Sequence, residues 1–244
     1  GKYNTIEKAL QKVELDISNN TTFIDVGGYS SKPNANHVTE EEELKRTIPT
    51  IEAILNSFPK AVISIDTFRG KVAKEAIEAG AAMINDISAF ELDKEMINTL
   101  STYKVPYVLM HMQGTPQNMQ ENPCYKNVVK DIIQFLDNKI SKLKTFGIHD
   151  IVIDPGFGFG KTLPNNYELI ANLNYFSSLN HPLLVGVSRK SMIYKLLNTS
   201  LLKSINGTTA LNMYSLLNGA NILRVHDAKE ANECIQIFNE IQKF

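Results

Sequence analysis

The sequence predicts an α/β protein with a parallel sheet, on the basis of three observations. Short apolar runs alternate with longer amphipathic segments along the chain, which is typical of repeated strand–helix units. Nearly every apolar run ends on a polar residue, whereas its beginning does not. No low-complexity or linker-like stretch divides the 244 residues, so we expect a single domain over residues 1–244.

Seven apolar runs are expected to be strands. They are rich in Val, Ile, Leu and Met and apolar at most positions, as in strands that are covered on both faces of a parallel sheet. The predicted strands are Thr22–Val26, Ala61–Asp66, Ala82–Ile87, Pro106–Met112, Ile151–Asp154, Pro182–Val187 and Asn221–His226.

Apolar residues at steps of three and four predict helices between these runs. Thr39 followed by Glu42 resembles a capping box at the start of one helix, and Gly80, Gly147 and Gly219 are expected to end three others. The predicted helices are Ile6–Ile17, Thr39–Leu55, Val128–Leu143, Tyr167–Phe176, Thr208–Leu217 and Ala228–Ile241.

The length favours a closed barrel over its competitor, an open doubly wound sheet, because an eight-stranded barrel takes about 250 residues. The chain begins on a helix, so only seven of eight strands are found. A seven-stranded barrel would leave two strand edges exposed, which is unfavourable. A (β/α)8 TIM barrel would therefore have its first strand absent from this chain.

Charge and cysteine content argue against several classes of protein. The 25 Lys and Arg residues balance 26 Asp and Glu residues, which disfavours a nucleic-acid partner or a polybasic membrane binder. No run approaches the ~20 apolar residues of a membrane span, and the first residues lack the apolar core of a signal peptide. Cys124 and Cys234 form no CxxC motif, so we expect a reducing, cytoplasmic setting.

The polar residues that end the predicted strands suggest one shared site. In a (β/α) barrel the active site is built from the carboxyl ends of the strands and the loops that follow. One such residue is usually a helix cap, but here every strand supplies at least one. They are Asp25, Asp66, Asn85, Asp86, His111, Asp154, Ser188, Arg189, Lys190, Arg224, His226 and Asp227.

The Gly-rich stretch from Asp154 to Thr162 matches neither common phosphate-binding motif. Pro155 stands where a P-loop needs its first glycine, and Lys161 where the dinucleotide fingerprint needs its last. What remains is a mobile loop with two aromatic rings that could clamp a flat ligand by stacking. The alternative is a merely flexible connection.

Two groups of polar residues suit different ligand chemistry. Arg224 and His226 are two residues apart in a predicted strand, so they would face one side and suit a diphosphate; the alternative is a surface Arg and a capping His. Asp66, Asn85 and Asp154 suit a heterocycle with amino and lactam edges, unless each is a separate cap.

His111 lies between two methionines and is expected to be a buried structural residue rather than a ligand. No cluster of His, Cys, Asp and Glu has metal-ligand spacing, and no GxSxG motif or Cys/His pairing indicates covalent catalysis.

Seven stretches together resemble the successive signatures of the dihydropteroate synthase family. They occur in the family's order and span Phe23 to Ala231. They are FIDVGGYSSKP, SIDTFRGKVAKEAIEAGAAMINDIS, VLMHMQGTPQNMQ, DPGFGFGK, LLVGVSRKSMI, NGTTA and ILRVHDAKEA. The resemblance implies a homodimeric barrel that condenses 6-hydroxymethyl-7,8-dihydropterin diphosphate with 4-aminobenzoate in folate synthesis, with Mg2+ helping the diphosphate to leave.

The resemblance also implies roles for the matching residues. The pterin would be bound by Asp66, Asn85, Met110, Asp154 and Lys190. The diphosphate would be bound by Arg224 and His226. The aminobenzoate would be framed by Ser31, Lys32, Pro33, Phe159, Ser188 and Lys190. The catalytic set would be Asp66, Asp154, Lys190, Arg224 and His226.

The chain departs from the family pattern in two places. Where the family usually has Glu-Ser-Thr-Arg-Pro, this chain has residues 29–33, Tyr-Ser-Ser-Lys-Pro, and Lys32 lacks the bidentate fork of arginine. The family opens with a strand and a loop whose Asn helps to hold Mg2+. This chain begins at the end of that loop, so we expect no metal ligand within it.

The implied reaction needs no covalent nucleophile, because stabilisation of the departing diphosphate and positioning of the amine would supply the rate. Two other interpretations compete. A pterin-dependent methyltransferase barrel would not need the Ser-Arg-Lys and Arg-x-His groups. A non-catalytic pterin-binding homologue is left open by the absent Mg2+ asparagine.

Overall fold

The computed structural model describes residues 5–30 and 36–244, which form seven strands and nine α-helices. The strands are β1 (Phe23–Gly27), β2 (Val62–Asp66), β3 (Met83–Asp86), β4 (Tyr107–Met110), β5 (Ile151–Asp154), β6 (Leu184–Val185) and β7 (Ile222–Leu223). The helices are α1 (Ile6–Ser18), α2 (Glu40–Ser57), α3 (Gly70–Glu78), α4 (Glu95–Tyr103), α5 (Val128–Thr145), α6 (Leu163–Ala171), α7 (Ser191–Leu196), α8 (Ile205–Leu217) and α9 (Ala228–Ile241).

The chain divides into two compact units that are each built from two stretches of sequence. The first unit comprises Gly1–Met110 and Lys139–Ile151, and the second comprises His111–Asn138 and Val152–Phe244. The first unit therefore holds β1 to β4, and the second holds β6, β7 and most of β5.

In the first unit β1, β2, β3 and β4 pair in chain order, and every pair is parallel. The register sets Gly27 opposite Asp66 and Asp66 opposite Asn85, so the carboxyl ends of these strands lie level with one another. Ile65 and Ile84, one residue earlier and on the opposite face, are fully buried. Because these apolar side chains pack on one face of the sheet, Asp66 and Asn85 are directed to the opposite face.

In the second unit β6 and β7 are parallel but only two residues long, whereas the sequence predicted strands of six residues. The apolar runs predicted strands that were too long. Val187, just after β6, is fully buried without being in a strand. The chain turns at Arg189, whose φ of 54° lies in the left-handed region. Arg224 and His226 therefore follow β7, and the argument that they share one face of a strand was wrong.

Most helices that the sequence predicted are confirmed with small shifts at their ends. The side chain of Thr39 accepts a hydrogen bond from the Glu42 amide at 3.2 Å, as expected of an N-cap. The predicted helix Tyr167–Phe176 had the wrong bounds, because α6 is capped earlier by Thr162 and ends at Ala171, and a 3-10 helix follows at Leu173–Leu179. The sequence also did not predict α3, α4 and α7 in outline.

Among the residues that the model describes, no helix combines the length and apolar character that crossing a bilayer requires.

Candidate active site

In the first unit, three residues predicted to bind ligand stand at the ends of consecutive strands. Asp66 ends β2, Asn85 is the last residue but one of β3, and Met110 ends β4. The Asn85 side-chain amide donates to Asp25 Oδ2 at 3.4 Å, so two carboxylates and an amide share one face of the sheet. Asn85 is 4% exposed and Met110 is 2% exposed. This edge can offer N–H acceptors and an amide to a heterocycle.

Asp86 points to the other face of β3 and organises the turn that follows. Its Oδ1 accepts hydrogen bonds from the amide and hydroxyl of Ser88, both at 2.7 Å. Its Oδ2 accepts from the Phe90 amide at 2.8 Å and the Tyr107 hydroxyl at 2.7 Å. Burial raises the pKa of Asp86, and these four donors oppose that rise. The predicted strand-end acid is therefore a structural group that fixes the backbone beside Asn85.

A buried ion pair that sequence reasoning missed joins α2 to the loop after β2. Glu43 on α2 is fully buried and binds the Arg69 guanidinium and the Thr67 hydroxyl. Arg69 also donates to the Val38 carbonyl at 2.7 Å and lies 5.5 Å from the ring centroid of Tyr29. Burial raises the pKa of Glu43, while Thr67 and Arg69 oppose the rise. The only signal of this ion pair in the sequence was that Thr67 and Arg69 lie in the short stretch after Asp66.

In the second unit, Asp154 ends β5 as a buried carboxylate among cations. It is 5% exposed, and its Oδ1 accepts the Gly156 amide at 2.7 Å. Burial raises the pKa of Asp154, whereas the charges of Lys190, Arg224 and Lys161 and the Gly156 bond lower it. Three predicted ligand-binding residues thus interact within this unit, and together they leave an excess of positive charge.

Lys190 lies within this charged group and against the Gly-rich loop. Its ammonium donates to the Phe157 carbonyl and lies 4.7 Å from the ring centroid of Phe159. Burial lowers the pKa of Lys190 to about 8, with Asp154 opposing the shift and Arg224 adding to it. One side chain therefore links the residues assigned to the pterin and to the aminobenzoate.

The Ser-Arg-Lys and Arg-x-His stretches meet through two further contacts. The Ser188 hydroxyl and His226 Nδ1 are 3.0 Å apart, and the His226 amide donates to the same hydroxyl at 3.2 Å. Arg189 forms a bidentate ion pair with Asp227, with N···O distances of 2.6 and 2.7 Å. Arg189 and Asp227, which were candidates for ligand binding, are thus directed at each other and hold Ser188 and His226 in place.

The loop between β5 and α6 is closely packed. Gly156, Gly158 and Gly160 have φ angles of 70°, 79° and 63°, which favour glycine. Phe157 is fully buried and Phe159 is 8% exposed. Hydrogen bonds also tie the loop backbone to the side chains of Lys161 and Lys190.

Ser31, Lys32 and Pro33 lie outside the described residues. Within residues 5–30 and 36–244, no group of three or more His, Cys, Asp and Glu side chains is arranged to hold a metal ion.

The chain matches the family model described as pterin binding enzyme over residues 1–226. It is 39% identical to the dihydropteroate synthase of Haemophilus influenzae over 240 residues, which cover 98% of this chain and 86% of that protein.

Two solved structures extend the comparison to the fold. The Yersinia pestis dihydropteroate synthase in a sulfonamide drug complex matches with a TM-score of 0.96 at 39% identity, over 100% of this chain and 89% of that chain. The Xanthomonas albilineans enzyme in complex with 7,8-dihydropteroate matches with a TM-score of 0.89 at 32% identity, over 100% of this chain and 88% of that one. These matches confirm the predicted α/β barrel fold class. The chain belongs to the dihydropteroate synthase family of pterin-binding enzymes.

Proposed function

We propose that this chain condenses 6-hydroxymethyl-7,8-dihydropterin diphosphate with 4-aminobenzoate to give 7,8-dihydropteroate and diphosphate. The observation that carries the proposal is the charged group of the second unit, where a buried Asp154 interacts with Lys190 and Arg224. A carboxylate suits the amino edge of a pterin, and a surplus of cations suits a diphosphate. Family membership supports the same reaction.

The pterin is assigned to Asp66, Asn85, Met110, Asp154 and Lys190. Asn85 offers both a donor and an acceptor, whereas Asp66 and Asp154 accept N–H bonds. Met110 is buried and supplies apolar surface to a flat ring.

The diphosphate is assigned to Arg224 and His226. The Ser188 hydroxyl contacts His226 Nδ1 and helps to orient the ring, and a histidine beside an arginine can donate a hydrogen bond to a phosphate oxygen. Arg224 adds a planar fork of donors beside it.

The aminobenzoate is assigned to Phe159, Ser188 and Lys190 together with Ser31, Lys32 and Pro33. Phe159 offers a ring face beside the Lys190 ammonium, which suits an aromatic carboxylate. The Lys32 ammonium supplies a further positive charge for that carboxylate.

The chemistry proceeds by loss of the diphosphate and then attack by the amine. The C–O bond to the pterin methylene breaks, and its electron pair leaves with the diphosphate, which Arg224 and His226 stabilise. Asp66 and Asp154 stabilise the positive charge left on the pterin. The aminobenzoate nitrogen forms the C–N bond with its lone pair and then releases a proton to water. Positioning of the amine lowers the entropic cost of this step.

Mg2+ is proposed as the counterion of the diphosphate, from the family resemblance. It prefers oxygen ligands in octahedral geometry. Among the described residues, no group of three or more His, Cys, Asp and Glu side chains is arranged to hold a metal ion, and every step above relies on the protein's own groups.

A homodimer is proposed, with small molecules as the substrates and no nucleic-acid or membrane partner. Large apolar side chains between 40% and 75% exposed lie on α7 and the residue after it, on α8, on α9 and on the 3-10 helix Leu201–Lys203 of the second unit. They are Leu196, Leu197, Leu201, Leu202, Tyr214, Leu217, Ile237 and Ile241. Apolar surface of this extent supports burial against a second copy. Sedimentation of the protein and of Leu202→Glu tests this, because the substitution should shift the protein to monomer.

We also propose that residues 1–244 form one pterin-binding domain, supported by the family match over residues 1–226. A cytoplasmic location is proposed because both cysteines are free, Cys124 exposed and Cys234 buried.

The function is tested by mixing the protein with both substrates and measuring dihydropteroate and diphosphate. Equal amounts of the two products, and neither from one substrate alone, are expected. Arg224→Ala should weaken binding of the pterin diphosphate by about 10- to 100-fold, as expected for a charge-assisted hydrogen bond, and binding of the pterin alcohol much less. The exposed Arg46→Ala is the matched control. Equal losses for both ligands would contradict the diphosphate assignment.

A further inference from the structure

Lys161 has a buried ammonium group that the proposed mechanism does not use. Lys161 is only 3% exposed and lies at the end of the Gly-rich loop. Its Nζ lies 2.8 Å from the Gly156 carbonyl, 3.0 Å from the Phe159 carbonyl and 3.0 Å from His111 Nδ1. The His111 carbonyl is more distant, at 3.5 Å. An ammonium has three protons, and three close acceptors surround this one.

The His111 ring is in a state that can accept a hydrogen bond from the Lys161 ammonium. Burial and the charge of Lys161 lower the pKa of His111 to about 2, so the ring is neutral. A neutral ring that accepts at Nδ1 carries its proton on Nε2. The ring packs edge-on against Phe135, with centroids 4.9 Å apart. Burial and the charge of Lys190 lower the pKa of Lys161, whereas the charge of Asp154 opposes that shift. Hydrogen bonds to the three acceptors also favour the ammonium form.

Lys161 and Lys190 both bind backbone carbonyl groups of the Gly-rich loop. Lys161 binds the carbonyls of Gly156 and Phe159, and Lys190 binds the carbonyl of Phe157 between them. The Lys161 ammonium also ties the loop to His111, which lies in the same unit. The Phe159 ring then lies 4.7 Å from the Lys190 ammonium. Every proton of Lys161 points at the protein, so a phosphate-binding role like that of a P-loop lysine does not fit.

We propose that Lys161, through its bond to His111, is a positioning residue that fixes the loop conformation in which Phe159 is presented to aminobenzoate beside Lys190. This rests on the proposed function. Lys161 does not touch a substrate. Its effect is expected on the aminobenzoate half of the site and much less on the pterin half.

The first test compares Lys161→Met with Lys130→Met, a matched control at an exposed position of α5. Lys161→Met keeps an unbranched side chain, one heavy atom shorter, and removes all three hydrogen bonds. The KM for aminobenzoate should rise by about 10- to 100-fold, because displaced groups lose their alignment. The KM for pterin diphosphate should stay within about two-fold of the wild type. A purely structural role would lower the active fraction and hence kcat, with both KM values unchanged, and that result would overturn the proposal.

The second test asks whether the acceptor on His111 is what matters. His111→Asn can place its Oδ1 where Nδ1 lies and should retain a nearly normal KM for aminobenzoate. His111→Leu removes the acceptor and should resemble Lys161→Met. Lys161 and His111 act through one bond. The KM for aminobenzoate of the double variant Lys161→Met/His111→Leu should therefore be no higher than that of the more impaired single variant. Additive losses in the double variant would contradict the pairing.

A third measurement does not depend on catalysis. The chain contains no tryptophan, so Phe159→Trp provides a single fluorescent reporter on the loop. Adding Lys161→Met to this variant should shift the emission to longer wavelength and increase quenching by acrylamide, whereas adding Lys130→Met should do neither. Unchanged emission would refute the positioning role even if the enzyme is active. Changed emission, together with a lack of synthase activity in the wild-type protein, would instead refute the proposed function.

Discussion

Replacing Tyr107 with Phe removes one hydrogen bond to a buried carboxylate and nothing else. The Tyr107 hydroxyl donates to Asp86 Oδ2 at 2.7 Å, and both residues are fully buried. The ring of phenylalanine fills the same space, so no cavity forms beyond the lost oxygen. Asp86 keeps its other three donors, from Ser88 and Phe90.

The expected cost is about 1.5–3 kcal/mol of unfolding free energy, the usual value of a hydrogen bond to a charged group. A chain of 244 residues has an unfolding entropy of about 0.5 kcal/mol/K, so Tm should fall by about 3–6 °C. The bond lowers the pKa of Asp86, so its contribution is present while Asp86 is ionised and is lost as the pH falls through the folded-state pKa. The difference in stability between variant and wild type should therefore narrow in acid.

Urea unfolding followed by circular dichroism measures this, and the m-value should not change. Tyr103→Phe is the matched control, because the Tyr103 hydroxyl also donates to a carboxylate, that of Glu78, but at an exposed position. Its stability should match that of the wild type. A loss below about 0.5 kcal/mol in Tyr107→Phe, or an equal loss in both variants, would show that burial does not set the value of the bond.

Three further predictions concern other contacts. Arg69→Met should cost about 3–5 kcal/mol in chemical denaturation, because it leaves Glu43 charged and buried, whereas Arg46→Met, which breaks an exposed ion pair on the same helix, should cost less than about 1 kcal/mol. Calorimetry should show that affinity for pterin diphosphate falls as the pH rises through about 8, where Lys190 loses its proton, and Lys190→Arg should abolish this decline. Gly160→Ala should lower stability by at least about 1–3 kcal/mol in thermal melts, because φ is 63° and the new Cβ would lie 2.6 Å from a backbone oxygen of the loop after β4; an unchanged Tm would contradict that geometry.

The alternation of strands and helices could be predicted because buried strands leave long apolar runs in the sequence. Strand lengths could not always be predicted, because an apolar residue that is buried in a turn looks the same. Val187 illustrates this, since it is fully buried beyond the end of β6. The same ambiguity led to the incorrect placement of Arg224 and His226 within a strand.

The candidate site was predictable where function places a polar residue at the end of a strand, as with Asp154 and Asn85. The supporting contacts were not, because they depend on which distant residues meet. Asp86 also ends a strand and Asp227 also follows one, yet their carboxylates bind the side chains of Tyr107 and Arg189. Lys161 is a sharper case, because lysine is almost never fully buried and no local pattern indicates it. His111, which was predicted to be a buried structural residue, is confirmed at 6% exposure.

In the loop after β5, residues with positive φ alternate with residues that do not have it. This alternation constrains the length of the loop as strongly as its composition. Even-numbered positions from 156 to 160 adopt positive φ and are glycine, whereas Phe157, Phe159 and Lys161 carry the buried side chains. Inserting or deleting one residue would exchange the two sets and force side chains into the left-handed region. In a library of single-residue insertions and deletions, this segment should tolerate neither change, although loops usually do. Recombination between relatives should accordingly transfer it only as one block.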